Sequence, residues 1–246
     1  MQQYLLHLAD NALILGHRLS EWCGHGPALE IDMAMTNISL DLIGQSRNVY
    51  QYAAELAGEG KTEDDLAYLR DVPEFRNVLL VEQPNGDFAN TIARHFLFDA
   101  YNFYFQQKLC ESKDERLAAI AEKSLKEVAY HLRWTSEWVI RLGDGTSESH
   151  DRIQLAFNNL WSYRGELLVP AEYEKTAVAA GYGVDLISIK PAVEQKTFEI
   201  LDQATLLRPT DAWMQTGGKT GRHSEHLGFI LAEMQFLQRA YPNSAW

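Results

Sequence analysis

Apolar residues recur at spacings of three and four through most of the chain, the rhythm of helices with one buried face. Leu5, Leu8, Ala12, Leu15, Leu19 and Trp22 mark a long first helix that Cys23-Gly24-His25-Gly26-Pro27 ends. A second stripe, Ile31, Met35, Ile38, Leu42, Val49 and Tyr52, predicts a helix from Leu29 to Ala57, with Gly58 and Gly60 as its stop. Glu59 to Glu74 is acid-rich, contains Pro73, and reads as a surface excursion with one short helix near Asp65 to Leu69. Asn85-Gly86 is a turn signal, and Asp87 is placed to cap a third helix from Phe88 to about Ser112. A fourth, Glu115 to Leu142, aligns Leu117, Ile120, Ser124, Glu127, His131, Trp134 and Trp138 before Gly143-Asp144-Gly145.

Beyond residue 146 the pattern predicts a fifth helix near Arg152 to Leu168 and a looser stretch with Pro170, Gly181 and Gly183. A sixth follows near Pro191 to Leu206, with Pro191 suited to a first turn. After a Gly-containing loop from Pro209 to Gly221, Ile230, Leu231, Met234 and Leu237 mark a last helix ending near Tyr241-Pro242. No solenoid repeat and no linker-like segment interrupts this order. The expectation is an all-α protein, a single domain over residues 1–246, with a four-helix bundle at its centre and additional C-terminal helices.

Composition narrows the partners. The 246 residues are 46% apolar, ample for a core, and the formal charge of -12 repels phosphate backbones and anionic membrane surfaces. No basic leader precedes an apolar run at the N-terminus, and every apolar run is too short to span a membrane, so a soluble cytoplasmic protein is expected. Cys23 and Cys110 lack metal-ligand or CxxC spacing and read as small buried hydrophobes. The run Tyr101, Phe103, Tyr104, Phe105 makes its helix apolar all round, so a second face needs cover; a subunit interface, with Trp246 at the far terminus, could supply it.

Long helices with inward acids suggest a di-iron carboxylate bundle, which needs an ExxH pair on each of two helices and one Glu on each of two others. None of the eight histidines has Glu or Asp three positions before it. Glu127 and His131 are four apart, and Asp41 is followed three positions later by Gly44, which has no ligand atom. The polar-core candidates are therefore Glu21, Asp41, Asp99, Glu127 and His131, read as acids neutralised by His131, Arg18 or a nearby Lys in an ion-pair network that fixes helix register. Gly217 to His226 contains Gly-Lys-Thr before a helix, but Trp213 stands where a phosphate loop requires glycine. That stretch reads as a helix start meeting another protein segment, with anion binding as the alternative. Neither a GxSxG elbow nor a Cys/His nucleophile pair is present.

Arg18 to His25, Tyr52 to Gly60, Leu80 to Ala89, and Gly217 to Gly228 with Glu233-Met234-Gln235 resemble the PaaC-type subunits of bacterial phenylacetyl-CoA epoxidases, in the ferritin-like superfamily. The resemblance implies a ferritin-like subunit that has lost its di-iron centre and structurally supports a catalytic PaaA subunit. That partner, with the other subunits of the complex, would epoxidise the ring of phenylacetyl-CoA in aerobic phenylacetate degradation, using di-iron in PaaA and NADPH through a separate reductase. No catalytic residue, cofactor or metal is then expected in this chain, and the isolated chain could also pair with itself. Two alternatives stand beside it: a self-contained di-iron carboxylate oxidase or ferritin-like protein, and an all-α enzyme with a cavity lined by aromatics and Glu127.

Overall fold

The computed structural model describes every residue except Glu59, Asp211, Ala212, Asn243, Ala245 and Trp246, so the expectation for Trp246 lies outside the described residues. The described residues form α1 (Gln2–Ser20), α2 (Leu29–Ala57), α3 (Glu63–Tyr68), α4 (Phe88–Leu109), α5 (Glu115–Gly143), α6 (Ser147–Leu160), α7 (Glu172–Ala180), α8 (Leu186–Gln203), α9 (Glu225–Met234) and α10 (Phe236–Ala240). No strand occurs among them. The class is all-α, with four long helices of 19, 29, 22 and 29 residues as in a ferritin-like chain, and additional C-terminal helices. Two compact units are distinguished: Met1–Glu82 with Gly217–Trp246, and Gln83–Thr216.

In the first unit α1 and α2 pack as an antiparallel hairpin whose close approach depends on Gly16. A Cβ there would stand 3.2 Å from Ile43 and Leu42, and Ser39 Oγ donates to the Gly16 carbonyl at 2.8 Å. Leu5, Ala9, Ile14 and Leu15 are fully buried, each large side chain contributing about 1.5–3 kcal/mol relative to exposure. α1 buries polar residues as well, namely His7, Asp10, Asn11 and Arg18. They serve the irregular segment before residue 83, where Phe75, Val78, Leu80 and Val81 are fully buried without a regular backbone ladder.

Buried main-chain groups need partners, and side chains supply them here. His7 Nδ1 donates to the Arg76 carbonyl at 2.7 Å, the Asn11 side-chain oxygen accepts from Val78 N at 2.8 Å, and Arg18 donates to the Glu82 carbonyl through Nε and Nη2 at 3.2 and 3.0 Å. From the C-terminal helices, Gln235 Nε2 donates to the Ala67 and Arg70 carbonyls at 3.2 and 3.0 Å. The acid-rich excursion is thus only partly a surface feature: α3 forms at Glu63–Tyr68 with a Thr62/Asp65 capping box, and Leu66, Ala67 and Arg70 turn inward.

In the second unit Asp87 caps α4, accepting from Asn90 N at 2.8 Å, and Asp114 caps α5, accepting from Leu117 N at 2.9 Å. Tyr101 and Phe105 are buried and Phe103 and Tyr104 half-buried. Their cover comes from the same unit, since α5, α6 and α8 all pack on α4, and Phe96 meets Phe157 of α6 edge-on at 6.1 Å. The aromatic run therefore does not require a subunit interface. The fifth helix begins earlier than expected, at Ser147 behind a Thr146/Ser149 capping box, and tightens to a 3₁₀ turn over Trp161–Leu168.

Two further expectations are corrected here. The stretch read as loose contains α7, ended by Gly181 at φ 82°. α8 starts at Leu186 behind the cap Asp185, leaving Pro191 in its second turn and not at its first residue, where its missing N–H leaves the Ile187 carbonyl without the usual i+4 donor.

Candidate functional site

The second unit holds a buried polar cluster between α4 and α5. His95 and Asp99 lie one turn apart on α4, His131 and Thr135 one turn apart on α5, and all four are buried. Thr135 Oγ1 stands 3.0 Å from both Asp99 Oδ2 and the His131 carbonyl. A single hydroxyl hydrogen serves one of these at a time. Burial pushes the Asp99 carboxyl up to about 7, with His131 and the Thr135 hydroxyl pulling it partly back. Burial, aided by Arg94 and His131, drives His95 well below the usual imidazole range, so its ring is neutral. Among the described residues, neither His95 ring nitrogen nor Asp99 Oδ1 has a hydrogen-bond partner.

A second cluster fills the first unit. Asp10 of α1, with a fully buried side chain, accepts from the Tyr50 hydroxyl of α2, from both terminal nitrogens of Arg70, and from Arg76 N at 2.7 Å. The Arg70 guanidinium also stacks 4.2 Å from the centre of the Phe75 ring, and its Nη2 donates to the Tyr50 oxygen at 2.8 Å. Burial and the Asp10 charge hold the Tyr50 hydroxyl well above its ordinary range, so it stays protonated and able to donate. A carboxylate with four donors and a cation with a two-pronged partner are the conditions under which buried charges are tolerated.

Against these clusters the expected residues divide. Asp99 and His131 are buried in one cluster. Asp41 and Glu127 are half-buried. Glu21 is corrected: it sits at the α1 C-cap, exposed, paired with Arg18 Nη1 at 2.9 Å, because the helix ends at Ser20 and turns the side chain outward. Arg18 was expected to neutralise an acid and does so, although the pair lies at the rim. The two cysteines are also corrected, Cys23 being exposed and Cys110 half-buried.

Sequence reasoning missed His95, Thr135, Asp10, Tyr50 and Arg70. On α5 the buried line runs Leu117, Ala121, Ser124, Val128, His131, Thr135, Val139, one position aside from the line through Glu127, Trp134 and Trp138. His95-x3-Asp99 inside an otherwise apolar run was the available signal for α4.

The glycine-rich stretch meets another segment of the chain, as expected. A Cβ on Gly218 would overlap the Asn77 carbonyl, one on Gly221 the Pro73 carbonyl, and Gly217 and Gly221 take φ of 138° and 83°. At the start of α9, where an anion was the alternative, the chain's own Glu82 lies: Oε1 accepts from Ser224 N at 2.7 Å, and Oε2 from Asn77 Nδ2 at 2.9 Å.

Donor chemistry completes the picture. Among the described residues no group of three or more His, Cys, Asp or Glu is placed to hold a metal ion. The buried carboxylates of Asp10 and Glu82 each accept from several protein donors. The model of the phenylacetic acid catabolic protein family, PaaA_PaaC, matches residues 1–246. The C subunit of the 1,2-phenylacetyl-CoA epoxidase of Escherichia coli (strain K12) is 50% identical over 243 residues, 99% of this chain and 98% of that protein. With a match over its whole length and half its residues shared with that relative, the chain belongs to the phenylacetic acid catabolic protein family of PaaA and PaaC.

Proposed function

We propose that the chain is the structural, non-catalytic subunit of a multicomponent phenylacetyl-CoA 1,2-epoxidase. The observation that carries the reading is the 50% identity, over nearly the full length of both chains, to the C subunit of such an enzyme. The interior supports it. Asp10 is matched by Arg70 and Tyr50, and Asp99 is raised to about 7 by burial, so these acids are settled by cations, hydroxyls and protons of the protein itself.

In this role the two units act as one ferritin-like domain in the cytoplasm, beside a PaaA-type catalytic subunit that carries the di-iron. Electrons arrive from NADPH through a separate reductase. One atom of dioxygen enters the aromatic ring of phenylacetyl-CoA as the epoxide and the other leaves as water, the NADPH supplying two electrons. This chain contributes a rigid scaffold: Asp41, Asp99, Glu127 and His131 are remnants of a polar core and take no part in the chemistry. No helix among the described residues is long and apolar enough to cross a membrane, which agrees with a soluble assembly.

The test is to purify the catalytic partner with and without this chain, reconstitute each with ferrous iron and reductase, and follow epoxide formation. Activity that needs this chain supports the reading. Sustained epoxidation by the partner alone contradicts it.

A further inference from the structure

The contact that fastens the C-terminal helices within the first unit carries a proton requirement of its own. Glu82 and His223 have fully buried side chains, and His223 Nδ1 stands 2.8 Å from Glu82 Oε2. The other ring nitrogen, Nε2, stands 3.1 Å from the Phe75 carbonyl oxygen. That carbonyl can only accept, so Nε2 carries a hydrogen. The Nδ1 contact then needs a second hydrogen, on the ring or on the carboxyl. A neutral imidazole beside an ionised Glu82 has only one between them, and either tautomer sets a lone pair against an acceptor oxygen. Both contacts are satisfied as hydrogen bonds only with one proton more than that neutral-ring state holds.

Other contacts share in fastening this end of the chain. Ser224, the N-cap of α9, donates its N–H to Glu82 Oε1 at 2.7 Å. α9 buries Leu227, Ile230 and Leu231, while α10 buries nothing and is held by Gln235 at the Ala67 and Arg70 carbonyls and by Arg239, whose Nη2 meets Asp71 Oδ1 at 2.8 Å. The charged and titratable groups facing the pair come from each packed element. α1 brings Arg18 to the Glu82 carbonyl and His7 to the Arg76 carbonyl. The segment before residue 83 brings Arg76, whose Nη1 lies 2.9 Å from the position of a Cβ on Gly221. The glycine loop brings buried Lys219 and exposed Arg222.

We infer that Glu82 and His223 form a proton-dependent clasp for the C-terminal helices: the shared buried proton holds α9 and α10 in place, and its loss as pH rises releases them. Once the proton is lost, Nδ1 and Oε2 repel, the Ser224 anchor loosens, and opening is linked to one proton. The population of the open strap then rises by up to about tenfold per pH unit over the range in which the open form has lost that proton and the clasped form keeps it.

Hydrogen exchange of the intact chain, read on peptides covering 225–240 from roughly pH 6 to pH 9 and corrected for intrinsic exchange rates, tests this. The wild type should show protection that falls with pH at that slope, while peptides of α4 and α5 do not follow it. His223→Gln keeps a donor but cannot titrate, so its strap should be equally open at every pH. Protection of 225–240 without pH dependence in the wild type, or with the wild-type dependence retained in His223→Gln, overturns the clasp. Nitrogen-15 NMR of the wild type gives an answer that survives a misfolded variant. Outside the case of a protonated Glu82, which carbon-13 labelling of its carboxyl would reveal, both His223 ring nitrogens should carry hydrogens at neutral pH; a neutral ring beside an ionised Glu82 would refute the proposal.

Discussion

Removing the Asp10 carboxylate is the sharpest perturbation of the scaffold. Its side chain is fully buried and accepts from Tyr50, from two nitrogens of Arg70 and from Arg76 N, so Asp10→Ala strands a guanidinium whose own side chain is only 9% exposed. Breaking one partner of a buried pair costs about 3–5 kcal/mol, because the remaining charge loses its counter-charge while staying out of water. For a chain of this size each kcal/mol lowers the midpoint by roughly 2–4 °C, which sets a loss of roughly 6–20 °C. Arg70→Met should cost a similar amount, and the Asp10→Ala/Arg70→Met pair much less than the sum, giving a coupling energy of about 2 kcal/mol or more. Thermal and urea unfolding of the four proteins supply the cycle. Single variants that lose under about 1 kcal/mol, or a double variant that loses the full sum, would refute the claim that this ion pair is what makes the buried acid tolerable.

Other consequences are smaller but as definite. Asp99, raised by burial to about 7 from an unfolded value near 3.9, binds a proton more tightly in the native state; stability should therefore fall as pH climbs between those values, by up to about 4 kcal/mol, and Asp99→Asn should flatten that limb in pH-dependent unfolding. His95 has the opposite sign, since its depressed native value means that the unfolded chain takes up the proton first; stability should drop as pH falls below roughly 6.5, and His95→Leu should remove that acid-side loss. Gly218→Ala, whose Cβ would overlap the Asn77 carbonyl, should cost about 1–3 kcal/mol, whereas Gly44→Ala, with open space around its Cβ in mid-α2, should stabilise by up to about 1 kcal/mol; denaturant midpoints distinguish them.

The long helices were legible because one-face burial imposes a 3.6-residue period, and their ends because caps such as Asp87 and Gly58 are local devices. α2 follows the expected bounds for that reason, and the family followed from long shared runs. What escaped detection depends on tertiary context. α7 is nine residues long and buries only Glu174 and Ala177, too short for a period to show. Pro191 looked like a helix start because the true cap, Asp185, precedes it by less than two turns. The polar sites were harder still. Asp10 is stabilised by Arg70, 60 positions away, and Glu82 by His223, 141 positions away, and no local pattern encodes such a pairing. Glu21 was misread by the same limit: a face can be inferred from periodicity, but only if the helix continues far enough to hold the residue on it.

A chain that supports an iron enzyme purely as scaffold should hold no iron of its own. Anomalous scattering at the iron edge, from crystals of the reconstituted complex grown with ferrous salt, decides the point. Iron peaks confined to the catalytic partner, with none near Asp99 and His131, are the expected result; a pair of iron peaks within this chain would contradict it.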